Sequence, residues 1–290
     1  MAGKFVYKST ESMNRMHAFY DKALAELNVK YEEQNVDTTF GKTHILIVGD
    51  TEKKKLITLH GGNGISPLNI KLFLPLLAEY CIIAPDVIGM PGKSEPYRNL
   101  NTNKDDFGIW IGEIMDSMSL GKCLFAVSSY SAAMLLSFAK ISPKRIEKAL
   151  LLVPSGIAHG RIAPMISKMI VPFVKYYFKP SPSTLKLVVE TMVTESDDMW
   201  CEFLDIMMSD YKMEMRPPRE FTVKELKNFK ADIILFASEN DIFFPASKVF
   251  VKAEQLFSGK CKMLEISSKH LPDVKTMNYV CEETIDFFNS

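Results

Sequence analysis

KCLFAVSSYSAAMLLSFAK, residues 122 to 140, is the stretch on which the reading of this chain turns. An apolar, strand-like run from Lys122 to Val127 stops at a serine-rich turn, and residues Ser129 to Ala139 then carry helical spacing. A serine at such a bend projects its hydroxyl, while the next backbone N–H points toward a substrate oxygen. The bend crowds neighbouring backbone, so small residues are favoured two places to either side of the nucleophile. With Ser129 at the centre those places hold Val127 and Ser131; the second is small, the first bulkier than glycine. Ser128 has Ala126 before it but Tyr130 after it. Ser131 has Ser129 and Ala133, both small, but falls inside the helix rather than at the junction. Position selects Ser129. Read alone, three close serines more often make a helix cap and two helix-surface or core hydroxyls than a nucleophile.

The partners lie further along the chain. DIILFASENDIFFP, residues 232 to 245, puts Asp241 in a loop after a late strand, and KMLEISSKHLPD, residues 262 to 273, puts His270 after the last one. The order Ser129, Asp241, His270 is that of a nucleophile, an acid and a base at one edge of a sheet. Each partner has a local alternative. Asp241 also suits a turn or cap, Glu239 is a second acid nearer the strand, and His270 has Asp273 as a neighbour. Upstream, HGGNG at residues 60 to 64 offers glycines whose backbone N–H groups can approach a ligand unobstructed. The N–H groups of Gly62 and Tyr130 are candidate oxyanion donors. His60 is expected to orient this loop by a hydrogen bond; His17, His44 and His159 are read as structural or surface residues.

The rest of the chain supplies the scaffold. A helix is expected over residues 11 to 27, then a strand pair (29 to 40 and 44 to 48) around Gly41. A short strand follows at 55 to 59, a helix near 69 to 80, and a strand at 81 to 86. Beyond the central bend come apolar strands at 149 to 154, 232 to 237 and 262 to 267, with helices at 244 to 256 and 276 to 288. Short, nearly continuous apolar strands separated by helices predict an α/β protein with a mostly parallel central sheet and helices on both faces. Residues 156 to 220 break the rhythm with helix-like segments alone, among them MISKMIVPFVKYYF and STLKLVVETMV, before FTVKELKNF restarts the main pattern. The division is therefore a core of residues 1–155 and 221–290 with an inserted helical cap of 156–220. Eight of the 17 methionines fall in residues 161 to 220; they suit either an adaptable substrate-facing surface or the cap's own packing.

Composition narrows the partners. Lys+Arg and Asp+Glu are equal at 35 each, so no net field invites nucleic acid. The amino terminus has no apolar leader, and no run reaches about 18 apolar residues, so no membrane span is expected. Five scattered cysteines form neither a disulfide framework nor a thiolate metal site, which fits a reducing, cytoplasmic setting. GMPGKS within residues 85 to 96 lacks the spacing of a phosphate loop, and no glycine fingerprint points to a dinucleotide. No cofactor and no metal are expected; monomer and homodimer both stay open.

Taken together, LHGGNG, APDVIGMPGKSEP, FAVSSYSAA, FASENDIFFP and SSKHLPD resemble the oxyanion loop, Asp-x-x-Gly turn, nucleophile elbow, acid loop and histidine loop of the α/β-hydrolase fold family, especially its bacterial carboxylesterase-like members. The resemblance extends over most of the chain. It implies Ser129 as nucleophile, Asp241 as acid, His270 as base, and the backbone of Gly62 and Tyr130 as oxyanion donors. Val127, Ser131 and Ala132 stand where the family commonly has glycine, and Lys269 where it often has a small residue. The implied activity is hydrolysis of a small or medium hydrophobic carboxylic ester through an acyl-serine. Two alternatives accompany it: a catalytically weak ligand-binding or signalling protein on the same scaffold, and an amide or carbon–carbon bond hydrolase using the same residues.

Overall fold

The computed structural model describes residues 3–161 and 166–290. Eight strands form one sheet: β1 (Tyr31–Thr38), β2 (Gly41–Val48), β3 (Lys54–Leu59), β4 (Tyr80–Pro85), β5 (Cys123–Ser128), β6 (Ile146–Leu152), β7 (Asp232–Ala237) and β8 (Cys261–Glu265). Their order is β1-β2-β4-β3-β5-β6-β7-β8. β2 runs antiparallel to both β1 and β4, and the pairs from β4 through β8 are parallel. The β1–β2 hairpin closes with Thr38 opposite Gly41, so the turn is Thr39–Phe40 and Gly41 opens the second strand rather than forming the bend.

Parallel strands buried on both faces must be apolar throughout, and β4 and β5 are buried at every position. Side chains alternate between two apolar cores, so Leu124 and Ala126 face one and Phe125 and Val127 the other. The first core is closed by helices α1 (Thr10–Glu26), α2 (Ser66–Leu72) and the carboxyl-terminal α9 (Val274–Asn289). The second is closed by α3 (Asp106–Ser117), α4 (Tyr130–Ile141) and α8 (Ala246–Phe257). The helix expected near 69 to 80 is split. α2 ends at Leu72 and a 3₁₀ turn, Leu74–Ala78, follows, because Pro75 has no N–H to continue the ladder.

Between β6 and β7 the described residues form α5 (Val171–Phe178), α6 (Pro182–Met192) and α7 (Asp198–Asp210). Of the expected cap, residues 162 to 165 lie outside the described residues, and Met165 with them. The stretch FTVKELKNF is a succession of turns that seats Phe221, Leu226 and Phe229 in the second core, neither strand nor helix. α1 grips the insert: Phe19 stacks on Phe203 at 5.8 Å, and Arg15 and Lys22 reach Asp210 (2.9 Å) and Glu202 (2.6 Å) of α7.

Strand order fixes where chemistry can gather. From β3 the chain crosses to β4 on one side, whereas β5, β6, β7 and β8 progress to the other. The carboxyl ends of β3 and β5, neighbours at this reversal, leave a crevice that helices cannot cover from either side. HGGNG follows β3 and Ser129 follows β5, so both open into that crevice.

Candidate active site

Ser129 stands between β5 and α4 with φ 54° and ψ −124°, a backbone conformation that few non-glycine residues adopt. Hydrogen bonds hold it there. Its N–H donates to the Leu152 carbonyl (2.9 Å), and its own carbonyl accepts from the Ser155 N–H (3.1 Å) and hydroxyl (2.9 Å). Ser131 adds a clasp, donating from Oγ to the Ser128 carbonyl (2.7 Å) and accepting from the Ser128 N–H (3.0 Å). A glycine there would leave room; serine instead closes a ring across the bend. Val127 is fully buried in register with Leu59 and Leu151.

Three side chains form one hydrogen-bonded line. His270 Nε2 lies 2.8 Å from Ser129 Oγ, and His270 Nδ1 lies 2.8 Å from Asp241 Oδ2. Asp241 Oδ1 accepts the Phe243 N–H (2.8 Å), so the carboxylate shapes its own turn and orients the imidazole at once. With the carboxylate as acceptor, Nδ1 carries the proton and Nε2 is left as the acceptor facing the hydroxyl. Phe243 and Phe244 pack on the ring at 4.7 and 5.8 Å and close its flank. The histidine loop is tied on two sides. Ser238 Oγ donates to the Ser268 carbonyl, and the Leu271 N–H donates to the Met192 carbonyl at the end of α6 (2.8 Å). Lys269 fits because its N–H bonds Thr194 Oγ1 (2.8 Å) while its side chain runs out to the Glu190 carbonyl.

The competing side chains are engaged elsewhere. Ser128 Oγ donates to Asn69 Oδ1 (3.2 Å), and Ser131 is the clasp just described. Glu239 caps α8 through the Ser247 N–H (2.9 Å), and Asp273 caps α9 through the Thr276 N–H (2.8 Å).

The glycine loop lies directly on this bend. A Cβ at Gly62 would stand 2.9 Å from Tyr130 Cδ2 and 3.1 Å from its Cβ, and one at Gly61 would stand 3.8 Å from Ser129 Oγ. Close approach is what requires glycine at Gly62; the left-handed residue of the turn is Asn63, with φ 56°. His60 orients the loop as expected. Its Nε2 accepts from the Val87 N–H (2.9 Å), so Nδ1 must bear the proton and donate to the Gly61 carbonyl (2.9 Å). Burial pushes this imidazole down, keeping it in the neutral form the two bonds demand.

A cavity partly open to solvent meets this line of side chains. Gly62, Ser129 and His270 stand on one side; Leu68, Leu72 and Leu271 of the core and Met192, Trp200 and Met207 of the insert supply apolar walls. Its floor is polar: Asn69, buried, donates to Thr58 Oγ1 (2.7 Å) and accepts from Ser128. The insert's methionines fall in several environments, and Met207 belongs both to the cavity wall and to the first core. Met192 and Met207 line the cavity, Met199 and Met208 are buried in the core, and Met215 is exposed.

The sequence reading did not single out Asn69 or Ser155, nor the pairing of His44 with Asp86. His44 Nδ1 lies 3.0 Å from Asp86 Oδ2 and Nε2 3.1 Å from Glu33 Oε2. Asp86 also accepts from the N–H groups of Ser66 (3.3 Å) and Lys93 (3.0 Å), bracing the segment just after the glycine loop. Burial opposes the charge on His44, yet the two carboxylates prevail and hold the imidazole above its usual range. Burial likewise opposes the charge on Asp86, and its hydrogen bonds and His44 hold it below the ordinary carboxylate range. His44 opens the run read as a strand at 44 to 48 and Asp86 ends the one at 81 to 86, but only the antiparallel pairing of β2 with β4 makes them neighbours.

A strand-order reversal, a left-handed serine between β5 and α4, and acid and histidine loops after β7 and β8 define an α/β-hydrolase fold. Among curated proteins the chain is similar to the carboxylesterase YbfK of Bacillus subtilis (strain 168), 25% identical with 97% of this chain and 96% of that protein aligned. Among solved structures it is similar to the naproxen esterase of Bacillus subtilis, with a TM-score of 0.80 at 18% identity over 97% of this chain and 99% of that one. It is also similar to a 2-hydroxy-6-oxo-6-phenylhexa-2,4-dienoate hydrolase of Rhodococcus sp. strain RHA1, with a TM-score of 0.67 at 16% identity over 91% of this chain and 100% of that one. No family model matches the chain.

Proposed function

We propose that this protein is a carboxylic-ester hydrolase of the serine class, with Ser129 as nucleophile, His270 as general base and acid, and Asp241 as the carboxylate that orients it. The observation that carries the reading is the unbroken line from Asp241 Oδ2 through His270 to Ser129 Oγ, with both contacts at 2.8 Å. The carboxylesterase YbfK, matched over nearly its whole length, supports the ester as the bond attacked.

Ser129 Oγ attacks the ester carbonyl as its proton passes to His270 Nε2. Asp241 stabilises the imidazolium that forms and remains ionised throughout. The N–H groups of Gly62 and Tyr130 receive the oxyanion, and each such donor contributes about 2.7 to 4 kcal/mol of transition-state stabilisation. Collapse expels the alcohol, which takes the proton from His270. Water, deprotonated by the same nitrogen, then cleaves the acyl-serine. The apolar cavity walls suit a small or medium hydrophobic ester, and residues 156–220 act as the cap that supplies Met192, Trp200 and Met207. Five free cysteines suit a reducing, cytoplasmic setting; among the described residues no helix is long and apolar enough to cross a membrane.

The test is covalent labelling with an alkyl fluorophosphonate followed by peptide mass spectrometry, alongside turnover of p-nitrophenyl esters of increasing chain length. The label is expected on Ser129 and is lost in Ser129→Ala and His270→Ala. Labelling that persists at another residue in Ser129→Ala, with ester turnover retained, rejects the assignment.

A further inference from the structure

The insert carries a surface that the reaction does not use. On α5, Val171, Val174 and Phe178 recur at spacings of three and four residues and so share a face, with Tyr177 beside them. All four point outward: Phe178 is 80% and Tyr177 69% exposed, and the two rings meet edge to face at 5.4 Å. Ile166, in the turn before the helix, and Leu187 on the adjoining α6 are exposed as well. The opposite side of α5 is anchored, since Tyr176 is buried and donates its hydroxyl to Asp205 of α7. The helix therefore turns its apolar stripe away from the core that an ordinary surface helix would seek. An exposed cluster of this kind marks a contact surface.

Charge around the stripe says what the contact is. Residues 166 to 189 contain Lys168, Lys175, Lys179 and Lys186 and no Asp or Glu, in a chain whose formal net charge is zero. All four lysines are exposed, and Lys186 reaches Glu190 at 3.7 Å. A two-fold dimer built on this face would set lysines against lysines, because such an interface presents the same patch from both sides. A bilayer with anionic headgroups satisfies both parts at once. Aliphatic and aromatic side chains enter the acyl boundary, while lysine stems lie along it with their ammonium groups among the phosphates.

We infer that α5 and the start of α6 form a docking surface for anionic phospholipid bilayers, holding the protein at the membrane surface without spanning it. The inference stands apart from the catalytic reading, since binding is measured without turnover. Its consequence for that reading is spatial: α6 ends at Met192, which lines the cavity, so the docked element is continuous with a cavity wall.

The experiment is co-sedimentation of the full chain with phosphatidylcholine vesicles, with and without phosphatidylglycerol, at low and high salt. Analytical ultracentrifugation of the lipid-free protein accompanies it. Binding is expected to phosphatidylglycerol-containing vesicles and to weaken steeply with salt. Removing three lysines together (Lys168→Gln, Lys175→Gln, Lys179→Gln) weakens it about a hundredfold, and Tyr177→Ser with Phe178→Ser reduces it at least as much. Circular dichroism melting stays that of the parent in both variants. The lysine variant removes only solvent-exposed heads, so it decides the matter even if the aromatic variant misfolds. Three results overturn the inference: no sedimentation with anionic vesicles, equal binding to pure phosphatidylcholine, or a dimer that Phe178→Ser returns to monomer.

Discussion

The molecule contains two buried histidine–aspartate pairs of nearly equal length, His270–Asp241 at 2.8 Å and His44–Asp86 at 3.0 Å, and they do different work. In each pair an ionised carboxylate fixes one ring nitrogen as a donor. The second nitrogen makes the difference. His270 Nε2 faces the Ser129 hydroxyl, a group that can give up a proton, so the ring can alternate between neutral and charged forms. His44 Nε2 faces the Glu33 carboxylate, which at neutral pH only accepts. Both nitrogens of His44 are therefore held as donors, which favours the imidazolium and leaves neither nitrogen free to take a proton from a neighbour. Tyr20 packs edge-on against His44 at 5.9 Å, and Lys93 lies over Tyr20 at 5.0 Å while pairing with Asp21 and Glu33. In the proposed mechanism one pair moves protons; the other braces the start of α2.

The sharpest break of this comparison is at the first pair. Ser129→Ala or His270→Ala is expected to lower kcat on an activated ester by about 10⁵ to 10⁶, and the double variant little further, because the residues act as a unit. Stopped assays at high enzyme concentration measure it; independent, multiplying losses would contradict the shared mechanism. Asp241→Asn should follow at about 10⁴ in kcat, with the imidazole left in the wrong tautomer. The same assay checks it, with circular dichroism to establish that the fold persists.

Gly62→Ala probes the glycine loop itself. The new Cβ would press on Tyr130 at 2.9 Å and shift the donor, and a 10²- to 10³-fold loss in kcat with little change in KM is expected. Loss confined to KM would mean that the Gly62 N–H does not meet the transition state.

His44→Asn should leave chemistry nearly intact and reduce stability. Removing the imidazole from the buried carboxylate of Asp86 costs about 3 to 5 kcal/mol, roughly 6 to 10 °C in Tm. The sign with pH follows from the raised imidazole. Its stabilisation is full below the ordinary histidine range and is lost as pH rises through the raised value in the folded protein. His60, pushed down by burial, acts the other way: its contribution is full above the ordinary range and fades as pH falls. Melting curves across pH should show an alkaline decline that disappears in His44→Asn, while the acid-side decline stays. The smallest effect is expected at Ser131→Ala, which opens the clasp over the elbow at a cost of about 1 kcal/mol, read as a lower Tm with kcat within a few-fold of the parent.

Much of this was legible from residues alone, for identifiable reasons. Strands such as CIIAP and CLFAV read clearly because parallel strands covered on both faces leave no room for polar side chains. Ser129 stood out because a strand ending directly in a helix leaves one residue to make the bend. The helix expected over 69 to 80 was overextended because apolar spacing continues through Pro75 while the hydrogen-bond ladder does not. FTVKELKNF has the spacing of an amphipathic element, yet its three apolar residues enter the core from turns.

What the sequence determined by itself was the alternation of strands and helices, the bend at Ser129, and the loops bearing Asp241 and His270. Each is local, written in periodicity, turn residues and chain order. Tertiary structure decided which of two similar histidines can accept a proton. That choice depends on the group facing the second ring nitrogen, and strand pairing brought Glu33 to His44 across 11 residues and Ser129 to His270 across 141. Hydrogen bonds between distant residues follow from how the sheet is ordered, and no local pattern records that order.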